Sequence, residues 1–391
     1  MNFGLPVATR KLCVTFAMEG LGSIDYQEGS PILRQNSDSV FVVRPCRHLL
    51  QILGVWKPHQ DRCSFVWLVY IAFVGVVWFV SLSAIICLDF VHYGFAKESV
   101  HFGEILNSIP TCLNLLCPFV FTVYYFNKGQ YEELVKRVQE VSEDYIRKLQ
   151  RVSFWYTVVS VILWGLGATF FICHWIPFFS TWYHYAVYIT CVFYTTGWWG
   201  VWLSVYGFVC HVHSMEIDLL IDLMKERDSL PSAILSKHQE LKNSLERTQK
   251  DFSWIISFAL MYHTIDLIIF SFAYFHSDFG ENYEIWQYIG GVLFDTVSIV
   301  IKLYPPAVVA AAVHRITVQA SKRCEMKVTS LSRNLPLEDM QLHQYIFCCE
   351  SDMGIKILGI KITVEIASTI CSTIATAIIS FVAFVIPRLF K

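Results

Sequence analysis

The feature that most restricts this chain is a series of long apolar stretches with almost no charge. The first, 64–90, reads SFVWLVYIAFVGVVWFVSLSAIICLDF and carries Asp89 as its single charged residue. A helix needs about 20 such residues to cross the hydrocarbon layer of a bilayer. Six more stretches follow, at 102–126, 152–176, 182–212, 252–275, 285–313 and 354–386, the second of them interrupted by Glu104, Asn107 and Asn114. In lipid every backbone polar group needs an internal partner, so each stretch is expected to be a helix. The expected fold is therefore an all-α membrane domain, 64–386, with seven transmembrane helices. Composition agrees. The chain has 391 residues, 55% hydrophobic and 16% charged, too little polar surface for a soluble protein of this size.

The same composition narrows function. A net charge of −2 without a large basic patch argues against nucleic acid as a partner. No phosphate-binding loop, metal-ligand pair or nucleophile–base arrangement stands out, so neither an enzyme nor a cofactor is expected. The 13 Cys lie mostly in apolar stretches or basic linkers and read as reduced thiols. The first twenty residues have no sustained apolar core and read as something other than a signal peptide.

Basic residues orient the spans. Segments 1–63, 127–151, 213–251 and 314–353 hold 24 of the 30 Lys and Arg. Positive charge marks the cytoplasm, which puts segment 1–63 inside and the end of the chain outside. That is the reverse of a G-protein-coupled receptor, and Asp-Arg-Tyr and Asn-Pro-x-x-Tyr signatures are lacking too; a G protein is not an expected partner. The linkers are patterned. Residues 131, 134, 135, 138, 141, 145 and 149 are apolar at helical spacing, as are 234, 235, 241 and 245 beyond Pro231. Helices four, five and six are thus expected to continue beyond the membrane, with anchor helices at about 213–251 and 314–353.

The last stretch raises a question of its own. It contains STICSTIATAIISFVAF, 368–384, with six hydroxyl side chains and no charge. At 100° per residue Thr369, Ser372, Thr373, Thr376, Ser380 and Ala383 fall on one face, with Glu365 a turn earlier. Ile370, Ile374 and Ile378 lie opposite. Two readings stand. Small hydroxylated faces let membrane helices approach closely and bond across the contact. Alternatively, copies of the face from several subunits line a wet pore, with Glu365 drawing cations to its inner mouth.

Aromatic and ionisable residues gather toward the outer ends of the spans. Some form the interfacial belt of any membrane protein. Phe171, Trp175, Tyr188, Trp286 and Gln287 are candidates to stack on and hydrogen-bond a small-molecule ligand. Deeper in, His263 and Asp295 reach similar depth on spans five and six and are expected to hydrogen-bond across the helices, as a pocket floor. Pro305 and Pro306 are expected to bend span six below Lys302.

Two motifs carry a family resemblance. The nonamer TAIISFVAF, 376–384, matches the last-helix signature of insect gustatory receptors at Thr376 and Phe384, while Ala377 and Ala383 stand where that signature has Tyr and Gln. LLQILGVWKP, 49–58, resembles the Leu-rich approach to the first span in the same family. With the seven-helix topology, the chain resembles the insect gustatory and odorant receptors. The resemblance implies a homo- or heterotetrameric ligand-gated cation channel in the cell membrane, in contact with lipid. Its pore would be lined by the last helix, with the gate at Ser380, Ala383 and the adjoining Phe384, its ligand would sit in the outer half of the bundle, and its cytoplasmic helices would form the anchoring contacts. The competing functions are a non-conducting membrane receptor or scaffold and a secondary transporter, although repeated halves typical of many transporters are not visible.

Overall fold

The computed structural model describes residues 64–93, 113–125, 143–175, 182–226, 229–276, 282–330 and 337–389; the expected N-terminal segment 1–63 lies outside them. Eight helices account for nearly all of the described residues: α1 (Ser64–Tyr93), α2 (Leu113–Tyr125), α3 (Glu143–Trp175), α4 (Trp182–Lys225), α5 (Pro231–His276), α6 (Asn282–Ser330), α7 (Leu337–Glu350) and α8 (Val364–Leu389). The chain between α7 and α8 folds into a small hairpin of β1 (Lys356–Ile357) and β2 (Ile360–Lys361).

The elements follow from local chemistry. Helix α5 opens on Pro231, whose fixed φ suits a first helical turn and whose missing N–H costs nothing there. Helices α4, α5 and α6 run 44, 46 and 49 residues. Helix α6 continues through Pro305 and Pro306. A proline at 306 leaves the carbonyl of Lys302 without its helical N–H donor. The hydroxyl of Tyr206 on α4 donates to that carbonyl at 3.4 Å, which supplies a substitute.

The last span departs from expectation. Its first ten residues, 354–363, are not helical. Gly354 has φ 120° and the turn pair Leu358–Gly359 has φ 51° and 80°, left-handed geometry that a helix cannot contain. Lys356 pairs with Lys361 and Ile357 with Ile360 around this two-residue turn. Positive φ at both turn positions matches the natural twist of a hairpin.

The described residues divide into two compact units. One contains 210–253 and 306–364. Its core recurs at helical spacing along each helix: Ile217, Leu220 and Met224 on α4, Ile234, Leu241 and Leu245 on α5, Val309, Val313 and Ile316 on α6, and Leu342 and Ile346 on α7. Burying a side chain of this size stabilises by about 1.5–3 kcal/mol. Arg323 fastens the unit. Its guanidinium donates to Asp339 on α7, to the carbonyls of Met224 and Glu226 at the end of α4, and to Ser229 just before α5.

The other unit contains the described residues of α1, α2 and α3 together with 182–209, 254–276, 282–305 and 365–389. Trp78 of α1 stacks on Phe119 of α2 at 4.7 Å, and Phe119 meets Trp198 of α4 edge-on at 4.8 Å. Small residues bring α3 and α4 together. A Cβ at Gly200 would lie 3.2 Å from the carbonyl oxygen of Ser160, and one at Gly207 would overlap the ring of Tyr156. Close approach through Gly is how helices pack where no hydrophobic effect drives them together. The outside of this unit is apolar: Phe73, Val76, Phe79 and Val80 on α1 and Trp155, Ile162 and Leu166 on α3 are all exposed. Among the described residues two stretches, Arg147–Thr169 and Gly290–Met326, are long and apolar enough to cross a membrane, and shorter apolar runs occur at Ala72–Ala84, Leu113–Tyr125 and Val364–Ala377.

Candidate functional site

Helix α8 carries the residues expected to line a pore. Glu365 stands in its first turn and is exposed. Thr369, Ser372, Thr373, Thr376, Ser380 and Ala383 are exposed as well. Ala367 is the one buried residue among the side chains described on this helix. The flank beside Ser372 is also open, with Ile379 69% exposed, while Ile370 and Ile374 on the opposite face are half-buried. The phenyl ring of Phe384 lies outside the described side chains.

The hydroxyls answer the question raised by their number. Thr373 donates to the carbonyl of Thr369 at 2.8 Å, Thr376 to Ser372 at 2.8 Å, Ser380 to Thr376 at 2.9 Å, and Ser372 to Thr369 at 2.9 Å. These four O–H groups are satisfied within the helix, so they cost little in an apolar setting. Each oxygen keeps lone pairs directed outward. The face is thus a row of acceptors, with the carboxyl-bearing Glu365 at one end.

A second set of polar groups is buried. His263 of α5 and Asp295 of α6 meet with Nδ1 and Oδ1 2.6 Å apart, the cross-helix hydrogen bond expected from their depth. Both are about 1% exposed. The remaining atoms of the pair, Nε2 and Oδ2, have no hydrogen-bond partner among the described residues. Lys302, two turns along α6 from Asp295, is fully buried, and its Nζ lies 4.7 Å from the ring centroid of Trp199 on α4. An ammonium over an indole face is held by the ring quadrupole. Asp266, one turn beyond His263 on α5, is buried beside the group and acts on Asp295. The rings of Trp199 and Phe294 flank His263 at 6.4 and 6.2 Å. Four ionisable side chains are therefore held within an aromatic surround. They can offer donors and acceptors to a small polar molecule, or they can serve solely to tie three helices together.

Of the aromatic candidates, Tyr188 is buried on α4. The side chains of Phe171, Trp175, Trp286 and Gln287 lie outside the described ones, although all four positions are helical. Trp199 is a contact the sequence did not indicate. A lone Lys inside an apolar stretch signals that a partner exists, but nothing in the spacing says that an indole 103 positions earlier provides it.

No protein-family model and no characterised protein matches the sequence. The fold has counterparts among solved structures. The insect olfactory receptor OR5 from Machilis hrabei, in complex with eugenol, aligns with a TM-score of 0.57 at 13% identity, over 89% of this chain and 100% of that one. A second structure of the same receptor aligns with a TM-score of 0.52 at 12% identity, over 88% of this chain and 99% of that one. Across nearly its whole length the chain has the fold of an insect olfactory receptor.

Proposed function

We propose that the chain belongs to the insect odorant and gustatory receptor superfamily and is a subunit of a ligand-gated, non-selective cation channel. The observation that carries this reading is α8: a helix with one buried residue on its described surface, a hydroxyl row along one face and a glutamate at its start. Among the described side chains this helix buries only Ala367 against its own chain, and copies from neighbouring subunits would cover more of it. Four copies around an axis would turn Thr369, Ser372, Thr373, Thr376 and Ser380 toward water, with Glu365 at the cytoplasmic mouth and Ala383 and Phe384 at the outer constriction. Acceptor oxygens wet such a path without holding an ion tightly. The seven-helix topology, with segment 1–63 inside and the chain end outside, rests on the charge asymmetry. The anchor helices about 213–251 and 314–353 would hold the subunits together in the cell membrane.

The ligand would enter the outer half of the bundle. Phe171, Trp175, Tyr188, Trp286 and Gln287 would line its walls, and the His263–Asp295 pair its floor. Support comes from the buried pair itself and from the OR5 structure with eugenol, a small aromatic ligand for a receptor of this fold.

Patch-clamp recording from cells expressing the chain, alone and with a small-molecule panel, tests the proposal. A ligand-dependent cation current is expected. Glu365→Gln should lower the cation-over-anion permeability ratio about twofold or more, because the mouth loses a charge per subunit. Trp286→Ala should shift agonist potency while leaving single-channel conductance unchanged. Surface-expressed oligomers that stay silent would favour the non-conducting receptor, a reading that Ala377 and Ala383 support by departing from the gustatory-receptor signature.

A further inference from the structure

A groove of about 400 Å³ runs along α5 where it faces the turn and hairpin after α7. Both belong to the unit containing 210–253 and 306–364. Three cations line it: Lys242 and Lys250 from α5 and Lys356 from β1. Residues 242, 246, 249, 250 and 253 share one helix face, so the α5 wall is a continuous polar stripe. Gln249 and Ser253 add neutral hydrogen-bonding groups to it.

The cations are loosely held. Lys242 stands 4.0 Å from Glu246 and Lys356 4.0 Å from Asp352, at the limit of an ion pair. Lys237–Glu240 on the same helix closes to 2.9 Å, and Lys225–Asp222 on α4 to 2.7 Å. Lys250 has no ion pair among the described residues and is exposed. Glu246 and Asp352 are each more than half exposed and can turn into water. Lys361, the cross-strand neighbour of Lys356, is committed elsewhere, donating to the carbonyl of Glu350 at 2.7 Å.

We propose that this groove binds a group carrying two or more phosphates, either the head group of a phosphoinositide lipid or a soluble inositol phosphate. The charge pattern selects for valence. A singly charged head group gains little over the two carboxylates that already stand near two of the lysines. A multiply phosphorylated one can pair with Lys242, Lys250 and Lys356 together while Glu246 and Asp352 swing outward. Gln249 and Ser253 then meet phosphate oxygens or ring hydroxyls. For the lipid source the site also lies at the right depth. Ser253 is the second residue of the stretch 252–275, and Lys250 is two residues before it, where head groups meet a membrane helix. The lipid source rests on the membrane reading given above; the soluble source does not. An occupant would tie α5 to the hairpin that leads directly into α8.

The test uses the purified full chain in nanodiscs of neutral phosphatidylcholine. Binding is measured in three arms: 2% phosphatidylinositol bisphosphate in the disc, phosphatidylserine at matched total charge, and soluble inositol trisphosphate added to neutral discs. Preference for a phosphorylated group over phosphatidylserine by tenfold or more is expected. Retention in the lipid arm alone assigns the head group; retention in the soluble arm assigns the free phosphate. The double variant K250Q/K356Q should weaken binding about 20-fold, the scale of two surface cations, while K237Q, outside the groove, should leave it unchanged. Circular dichroism and size exclusion confirm that the variants remain folded. Equal binding to phosphatidylserine discs, or unchanged binding by the double variant, would overturn the proposal. Neither outcome depends on whether the chain conducts.

Discussion

His238 shows what one side chain can do to stability. It lies buried on α5 with its ring against the edge of Tyr345 on α7, at 5.4 Å. Burial, reinforced by Lys242 one turn along, pushes its pKa down to about 4. The folded chain therefore keeps the imidazole neutral where an unfolded chain protonates it near 6.5. Between these values the unfolded state binds the extra proton, so stability is full above pH 6.5 and falls as pH drops toward 4. The loss should reach about 2 kcal/mol at pH 5. Thermal unfolding in detergent at pH 7.5 and pH 5 checks it. His238→Leu should remove this part of the acid sensitivity; an unchanged difference between the two pH values would assign the sensitivity to other groups. None of this was visible in the sequence, because His238 stands in a charged, helical-looking linker and its burial depends on α7 folding over it.

At the scale of elements, two contacts set how helices meet. The Tyr206 hydroxyl replaces the hydrogen bond that Pro306 removes from the Lys302 carbonyl. Tyr206→Phe should cost about 1–3 kcal/mol, the penalty for an orphaned buried acceptor, read as a lower unfolding temperature. Gly200 and Gly207 let α4 lie against α3. Gly200→Leu should disrupt this contact, since the neighbouring atom is backbone and cannot move aside, and surface expression should fall. Normal expression and an unchanged unfolding temperature would contradict the close packing. The sequence made the helices legible because apolar runs and helical periodicity are local signals. It disguised the hairpin at 356–361. The string IKILGIKI is apolar enough to pass for membrane helix, yet its Ile and Lys alternate with a period of two and Gly359 sits where a left-handed turn is needed. The His263–Asp295 bond was legible from depth along two spans. The contact between Lys302 and Trp199 was not, because the rotation of α4 against α6 is a property of packing.

At the scale of the molecule, the fold is that of an insect olfactory receptor at 13% identity, so what persists is architecture rather than side chains. The apolar exterior of α1 and α3 suits lipid, whereas the exposed acceptor row of α8, with Glu365 at its start, can serve water. The account stands on that face turning toward water at the centre of an oligomer. Cysteine scanning of α8 tests this most directly, in a Cys371→Ala background with a charged thiol reagent applied during ligand-evoked current. Cysteines at Thr373, Thr376 and Ser380 should be modified and the current blocked, while cysteines at Ile370 and Ile374 should leave it unchanged. Block from the isoleucine positions with silence from the hydroxyl positions would place the row in a helix contact and contradict the account.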